Sequence, residues 1–167
     1  MGSNQRGGSE HAPNRESVWD YPTPPRVEPA NRRIRVVFGG VTIADTNRAL
    51  RVLETGHPPV YYIPPDDVLV EHLERGERQT FCEFKGVAIH YAVAADDRRA
   101  EDAAWCYPDP TPPFAGIARY LAFYPRAMDE CRVDDERAAP QPGDFYGGWI
   151  TTDIVGPFKG EPSRRLR

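Results

Sequence analysis

The chain has 167 residues, a formal charge of −4, 40% hydrophobic residues and 18 prolines. That length suits one domain with tails, and the acidic balance excludes general nucleic-acid binding, which needs a concentrated excess of Lys and Arg against phosphate. No apolar run reaches the roughly 18 residues of a membrane span, and the N-terminal region lacks the charged start and apolar stretch of a secretory signal, so the expected location is the cytoplasm, with no membrane partner.

Residues 1–31 read as a Pro-rich N-terminal tail, in which Pro22, Pro24, Pro25 and Pro29 enforce extended chain. The tail also carries Val18, Trp19 and Tyr21, and apolar side chains in a polar tail predict docking onto the domain surface or onto a partner. A β domain is expected over 32–156 and a C-terminal tail over 157–167, locally basic at Arg164, Arg165 and Arg167.

From Arg33 the apolar period is two: Ile34, Val36 and Phe38, then Gly39-Gly40, then Val41-Thr42-Ile43. This predicts a β-hairpin, because tight hairpin turns need the positive φ that glycine accepts. Arg48 to Leu53 fits a strand better than a helix, and Val60 to Ile63 reads as a strand stopped by Pro64-Pro65. Leu69 to Leu73 and Gln79 to Phe84 are the next expected strands, separated by Arg75-Gly76-Glu77. Val87, Ile89, Tyr91 and Val93 alternate with Ala88, His90, Ala92 and Ala94, which predicts a buried bulky face and a small-residue face carrying His90. Arg99 to Tyr107 returns as a strand into the loop Pro108 to Pro113, Ile117 to Tyr124 offers one helical turn although its aromatics fit a strand too, and a last strand is expected over Trp149 to Val155. Short strands broken by Gly and Pro indicate an antiparallel, mainly β protein of barrel or sandwich type.

Cys82, Cys106 and Cys131 are odd in number and form no CxxC pair, so neither a closed disulfide framework nor a structural zinc site is expected. The reading is reduced thiols, no metal and no cofactor. The tripeptide Phe-Lys-Gly occurs at Phe84-Lys85-Gly86 and Phe158-Lys159-Gly160, and these hold the chain's only lysines.

Five ordered motifs carry a family resemblance: Val41-Thr42-Ile43-Ala44-Asp45; Leu53 to Tyr62 with Pro64; Cys82-Glu83-Phe84-Lys85-Gly86; Glu101 to Tyr107; and Gly116 to Tyr124. Over Arg33 to Val133 the chain resembles the bacterial and fungal domain-of-unknown-function family number 427. The resemblance implies a compact β-tent-like fold, related to methionine sulfoxide reductase B and the ligand-binding domain of cereblon. Several such folds carry zinc on paired CxxC knuckles, but here Lys85 stands where a second thiolate would be. The family also bears a nucleotidyltransferase label. That chemistry needs clustered carboxylates and a Gly-rich phosphate loop, whereas Gly39-Gly40 reads as a turn and Asp66-Asp67, Asp96-Asp97 and Asp134-Asp135 are adjacent pairs in turns.

The residues suited to chemistry are few. Glu54 and His57 pair an acid with a base at a loop, or Glu54 accepts from turn amides. Lys85 beside Cys82 either lowers the thiol pKa or holds a ligand anion, and His90 stands near in sequence. Trp105, Tyr107, Tyr61, Tyr62, Tyr120 and Tyr124 supply apolar faces with polar tips. The expectation is a site of Glu54, Tyr61, Cys82, Lys85, His90, Trp105 and Tyr107 that binds a small anionic or planar molecule. An enzyme using Cys82, Lys85, Glu54 or His57, and an interaction module using the aromatic tail, are the alternatives.

Overall fold

The computed structural model describes residues 15–143 and 145–161, so the expectations for Met1 to Asn14 and for the basic end at Arg164, Arg165 and Arg167 lie outside the described residues. The domain is mainly β, and its named strands pair antiparallel except for Glu16–Ser17, which runs parallel to Ile154–Val155. The largest sheet orders Ala122–Phe123, Arg98–Cys106, Gly86–Ala95 and Leu73–Cys82. A second orders Glu136–Arg137, Glu130–Val133, Ile34–Phe38 and Val41–Thr46, and a third orders Arg26–Pro29, Leu50–Leu53 and Val60–Tyr62. These open sheets do not close into a barrel. No helix among the described residues is long and apolar enough to cross a membrane.

The Gly39-Gly40 hairpin is present, with φ of +60° and +78° at the two glycines. Ile34, Val36 and Phe38 all point into the main core, as their spacing requires. Trp149 is the largest fully buried side chain there, its ring 5.0 Å from that of Tyr61 and its Nε1–H donating to the Phe123 carbonyl at 3.2 Å.

Several elements depart from their sequence reading. Leu73–Cys82 is one strand rather than two, because Gly76-Glu77-Arg78 form a bulge between the paired Arg75 and Gln79 that shifts register against Gly86–Ala95 instead of ending the ladder. The region before it is a short 3-10 turn, Val70–His72. The expected loop is present over 108–111 and runs into the 3-10 turns Pro112–Ile117, and within Ile117 to Tyr124 the strand alternative is the one seen, at Ala122–Phe123. Trp149 to Val155 divides into Trp149–Ile150 and Ile154–Val155.

The expected faces of Gly86–Ala95 are also inverted over its first half. Ala88 and His90 are buried, while Val87 is exposed and Ile89 and Tyr91 are half-buried. Small residues lie inside because large rings from elsewhere, Trp105 and Tyr124, fill the space above them.

The folded unit also begins earlier than residue 32. Arg26–Pro29 pairs with Leu50–Leu53, and Val18 and Tyr21 are buried with Leu53 and Ile154. Arg51 ties the segment down, donating to Glu16 at 2.8 Å and to Glu28 at 2.7 Å, while the Tyr21 hydroxyl donates to Glu16 at 2.6 Å. Trp19 stays half-exposed, but its Nε1–H donates to the Pro157 carbonyl at 2.7 Å, so the segment docks on its own chain. Beyond residue 156 the chain is likewise held, the Lys159 amide donating to the Gly56 carbonyl at 2.8 Å. Deleting residues 1–25 removes three buried residues, Val18, Tyr21 and Pro25, and the melting temperature should fall by about 5–10 °C. An unchanged melting curve would show that this segment adds nothing to the fold.

Candidate functional site

A second, smaller apolar cluster joins Val52, Tyr62, Ala88, Trp105, Tyr107 and Phe114, and above it opens a cleft of about 320 Å³. Its lining comes from the third sheet (Val52, Val60, Tyr62), from the largest sheet (Arg78, Thr80, Cys82, His90, Trp105) and from the segment Gln141 with Phe145 to Gly147. Strand parity explains the choice of residues. Arg78, Thr80 and Cys82 alternate along one strand face, and Trp105 and Tyr107 share a parity. Gly147 lets the covering segment press on the indole, because a Cβ there would stand 2.5 Å from Trp105 Cη2.

Of the seven residues expected at the site, Glu54, Cys82, Lys85, His90, Trp105 and Tyr107 line the cleft. Tyr61 does not. Neighbouring strand residues face opposite sides, so Tyr61 packs on Trp149 in the main core and Tyr62 takes the cleft side. The Tyr62 hydroxyl accepts from Trp105 Nε1–H at 3.3 Å. Tyr124, one of the candidate aromatic rings, also lines the cleft, and Arg78, Gln141 and Tyr146 join it without having been expected. The every-second-residue spacing of Arg78, Thr80 and Cys82 was the one readable signal among these; Gln141 and Tyr146 arrive by a long-range return of the chain.

Lys85 lies in the turn between Leu73–Cys82 and Gly86–Ala95, a turn closed by Gly86 at φ +107°. The Pro-rich loop clamps this turn, since the Thr111 hydroxyl donates to the Phe84 carbonyl at 2.6 Å and the Thr111 amide to the Lys85 carbonyl at 3.1 Å. The Lys85 side chain is only 8% exposed. Its ammonium donates to Cys82 Sγ at 3.3 Å and stands 5.7 Å and 5.8 Å from the Tyr107 and Phe114 ring centres. Among the described residues no carboxylate is within ion-pair reach of it.

The histidines are engaged elsewhere than at the thiol. His57 Nδ1 lies 3.0 Å from Gln141 Nε2, and His90 Nε2 lies 2.9 Å from the Thr80 hydroxyl. Burial holds both imidazoles below the usual histidine range, with Lys159 and Lys85 adding to the effect at His57 against Glu54, and Arg78 adding at His90 against Asp102. Among the described residues, the Glu54 carboxylate makes no hydrogen bond to the turn amides; its backbone carbonyl accepts from the His57 amide at 3.0 Å.

Cys82 is the half-buried thiol of the three, whereas Cys106 and Cys131 are buried and their thiols are pushed up by that burial. In the native protein a chromogenic disulfide reagent should therefore titrate Cys82 alone, and all 3 cysteines only after unfolding. Fast loss of more than one thiol without denaturant would contradict this packing.

Among the described residues no group of three His, Cys, Asp or Glu stands together as a metal site. Two of the adjacent acid pairs serve surface contacts: Asp67 accepts from the Thr46 hydroxyl at 2.6 Å, and Asp134 accepts from Arg32 at 2.6 Å and from the Arg33 amide at 3.0 Å. In comparisons with known proteins, residues 26–134 match the family model described as Domain of unknown function (DUF427). No curated protein matches the chain.

Proposed function

We propose that this chain, which belongs to the DUF427 family, uses its cleft to bind a small planar anion with Lys85 as the counter-charge. The observation that carries the reading is Lys85 itself. An ammonium buried without a carboxylate costs free energy unless an anion neutralises it, and this one sits in a cleft lined by aromatic faces. Trp105 and Tyr124, with ring centres 4.5 Å apart, and Tyr107 offer the flat apolar surface that a planar molecule needs. At about 320 Å³ the space is near the lower end for ligand sites, which suits a molecule of one or two rings.

Binding accounts for the geometry better than nucleophilic catalysis. The Cys82 thiol has the Lys85 ammonium beside it, but both cleft histidines are bonded to other partners, so no general base stands at the sulfur. The test is a thermal-shift panel of benzoate, indole-3-acetate, phenyl phosphate and benzylamine at millimolar concentration. Aromatic anions should raise the melting temperature and the aromatic cation should not. Stabilisation by benzylamine alone would reverse the sign of the proposed ligand.

A further inference from the structure

Gln141, 1% exposed, lies at the side of the cleft with all of its polar atoms committed. Its Oε1 accepts from the Gly148 amide at 3.1 Å, and its Nε2 donates to the Lys159 carbonyl at 2.9 Å while lying 3.0 Å from His57 Nδ1. Turning the amide over would set oxygen against the Lys159 carbonyl and N–H against the Gly148 N–H, so only one orientation satisfies the site. The second Nε2 hydrogen therefore goes to His57 Nδ1. A neutral imidazole that accepts at Nδ1 carries its proton at Nε2. Burial keeps this ring neutral at ordinary pH. His57 thus offers the cleft a donor, its Nδ1 side being closed by Gln141 and its ring held edge-on to Tyr146 at 5.0 Å.

We propose that Gln141 is a positioning residue that holds His57 as an Nε2–H donor, and that this donor, with the Lys85 ammonium and Glu54, selects an aromatic monocarboxylate. The proposal rests on the anion-binding reading above and narrows it. A carboxylate has two acceptor oxygens, one for an ammonium and one for an imidazole N–H. Glu54 lines the same cleft and repels added negative charge, and a phosphate monoester brings about −1.5 to −2 charges where a carboxylate brings one. The chain's second Phe-Lys-Gly has a part here through its backbone, since the Lys159 carbonyl takes the other Gln141 hydrogen.

Two measurements on the full-length protein separate this proposal from the reading beneath it. Long-range proton–nitrogen correlation at neutral pH, without ligand, should show His57 as the Nε2–H tautomer. Gln141→Leu should mix the tautomers, and Gln141→Glu should draw the proton to Nδ1, a response that a merely structural glutamine would not give. An Nδ1–H tautomer or an imidazolium in the unaltered protein would overturn the donor assignment. Benzoate and phenyl phosphate are then titrated into the unaltered protein, His57→Phe and His57→Gln. Benzoate should bind more tightly than phenyl phosphate, lose about tenfold in affinity in His57→Phe, and recover in part in His57→Gln, whose amide keeps a donor. Equal benzoate affinity in all three proteins would overturn this proposal and leave the anion cleft standing, as would a preference for phenyl phosphate. Binding of neither compound despite the Nε2–H tautomer would overturn the cleft reading and the ligand class with it.

Discussion

Replacing Trp149 with alanine should destabilise the fold by about 3–5 kcal/mol. The indole is fully buried and contacts Tyr61, and its strand is held by the Trp149 amide donating to the Pro59 carbonyl at 2.8 Å. Truncation empties a space that the rigid ends of several short strands cannot collapse to fill, and it leaves the Phe123 carbonyl without the indole donor. Trp149→Phe should cost less, because most of the volume remains and only the N–H is lost. Trp19→Ala is the control: this ring is half-exposed, so its removal should cost far less. Urea titration reads the difference as a drop in midpoint at unchanged slope. Equal midpoints for Trp149→Ala and Trp19→Ala would mean that the core is not centred where its burial places it.

Lys85→Met should leave the unliganded fold within about 1 kcal/mol of the original, because an apolar chain of similar length replaces a buried charge that has no carboxylate partner. It should also lower the affinity for an aromatic anion by tenfold or more, the usual cost of losing a hydrogen bond to a charged group, about 1.5–3 kcal/mol. The contrast with Trp149 is the point of the pair. One side chain supports the fold and the other is held in a costly place by the Thr111 clamp on its turn. If Lys85→Met unfolded the protein, its ammonium over Tyr107 and Phe114 would be a structural cation rather than a ligand contact.

Local chemistry made much of this legible in the sequence. The Gly39-Gly40 turn and the inward Ile34, Val36 and Phe38 follow from glycine's tolerance of positive φ and from the period of two. Lys85 beside Gly86, and Trp105 and Tyr107 as rings with apolar faces and polar tips, were singled out on local chemistry and line the cleft. Long-range information was what failed. The faces of Gly86–Ala95 could not be assigned because both bury residues, one against the main core and the other beneath Trp105 and Tyr124. Tyr61 and Tyr62 are both suitable rings, and only the register of Val60–Tyr62 against Leu50–Leu53 decides which one faces the cleft. Residues 16–29 read as tail because four prolines mask a strand whose partner lies some twenty residues onward. Gln141 carries no local signal at all; its role exists only where Lys159, Gly148 and His57 meet.

The central claim is that Lys85 gives the aromatic cleft its preference for an anion. Calorimetric titration of benzoate into the full-length protein and into Lys85→Met, with benzylamine as the cationic counterpart, tests it most directly. Saturable benzoate binding by the unaltered protein, weakened at least tenfold in Lys85→Met, with no benzylamine binding by the unaltered protein, is the predicted result. Benzoate binding of equal strength in both proteins, or benzylamine binding in its place, would contradict it.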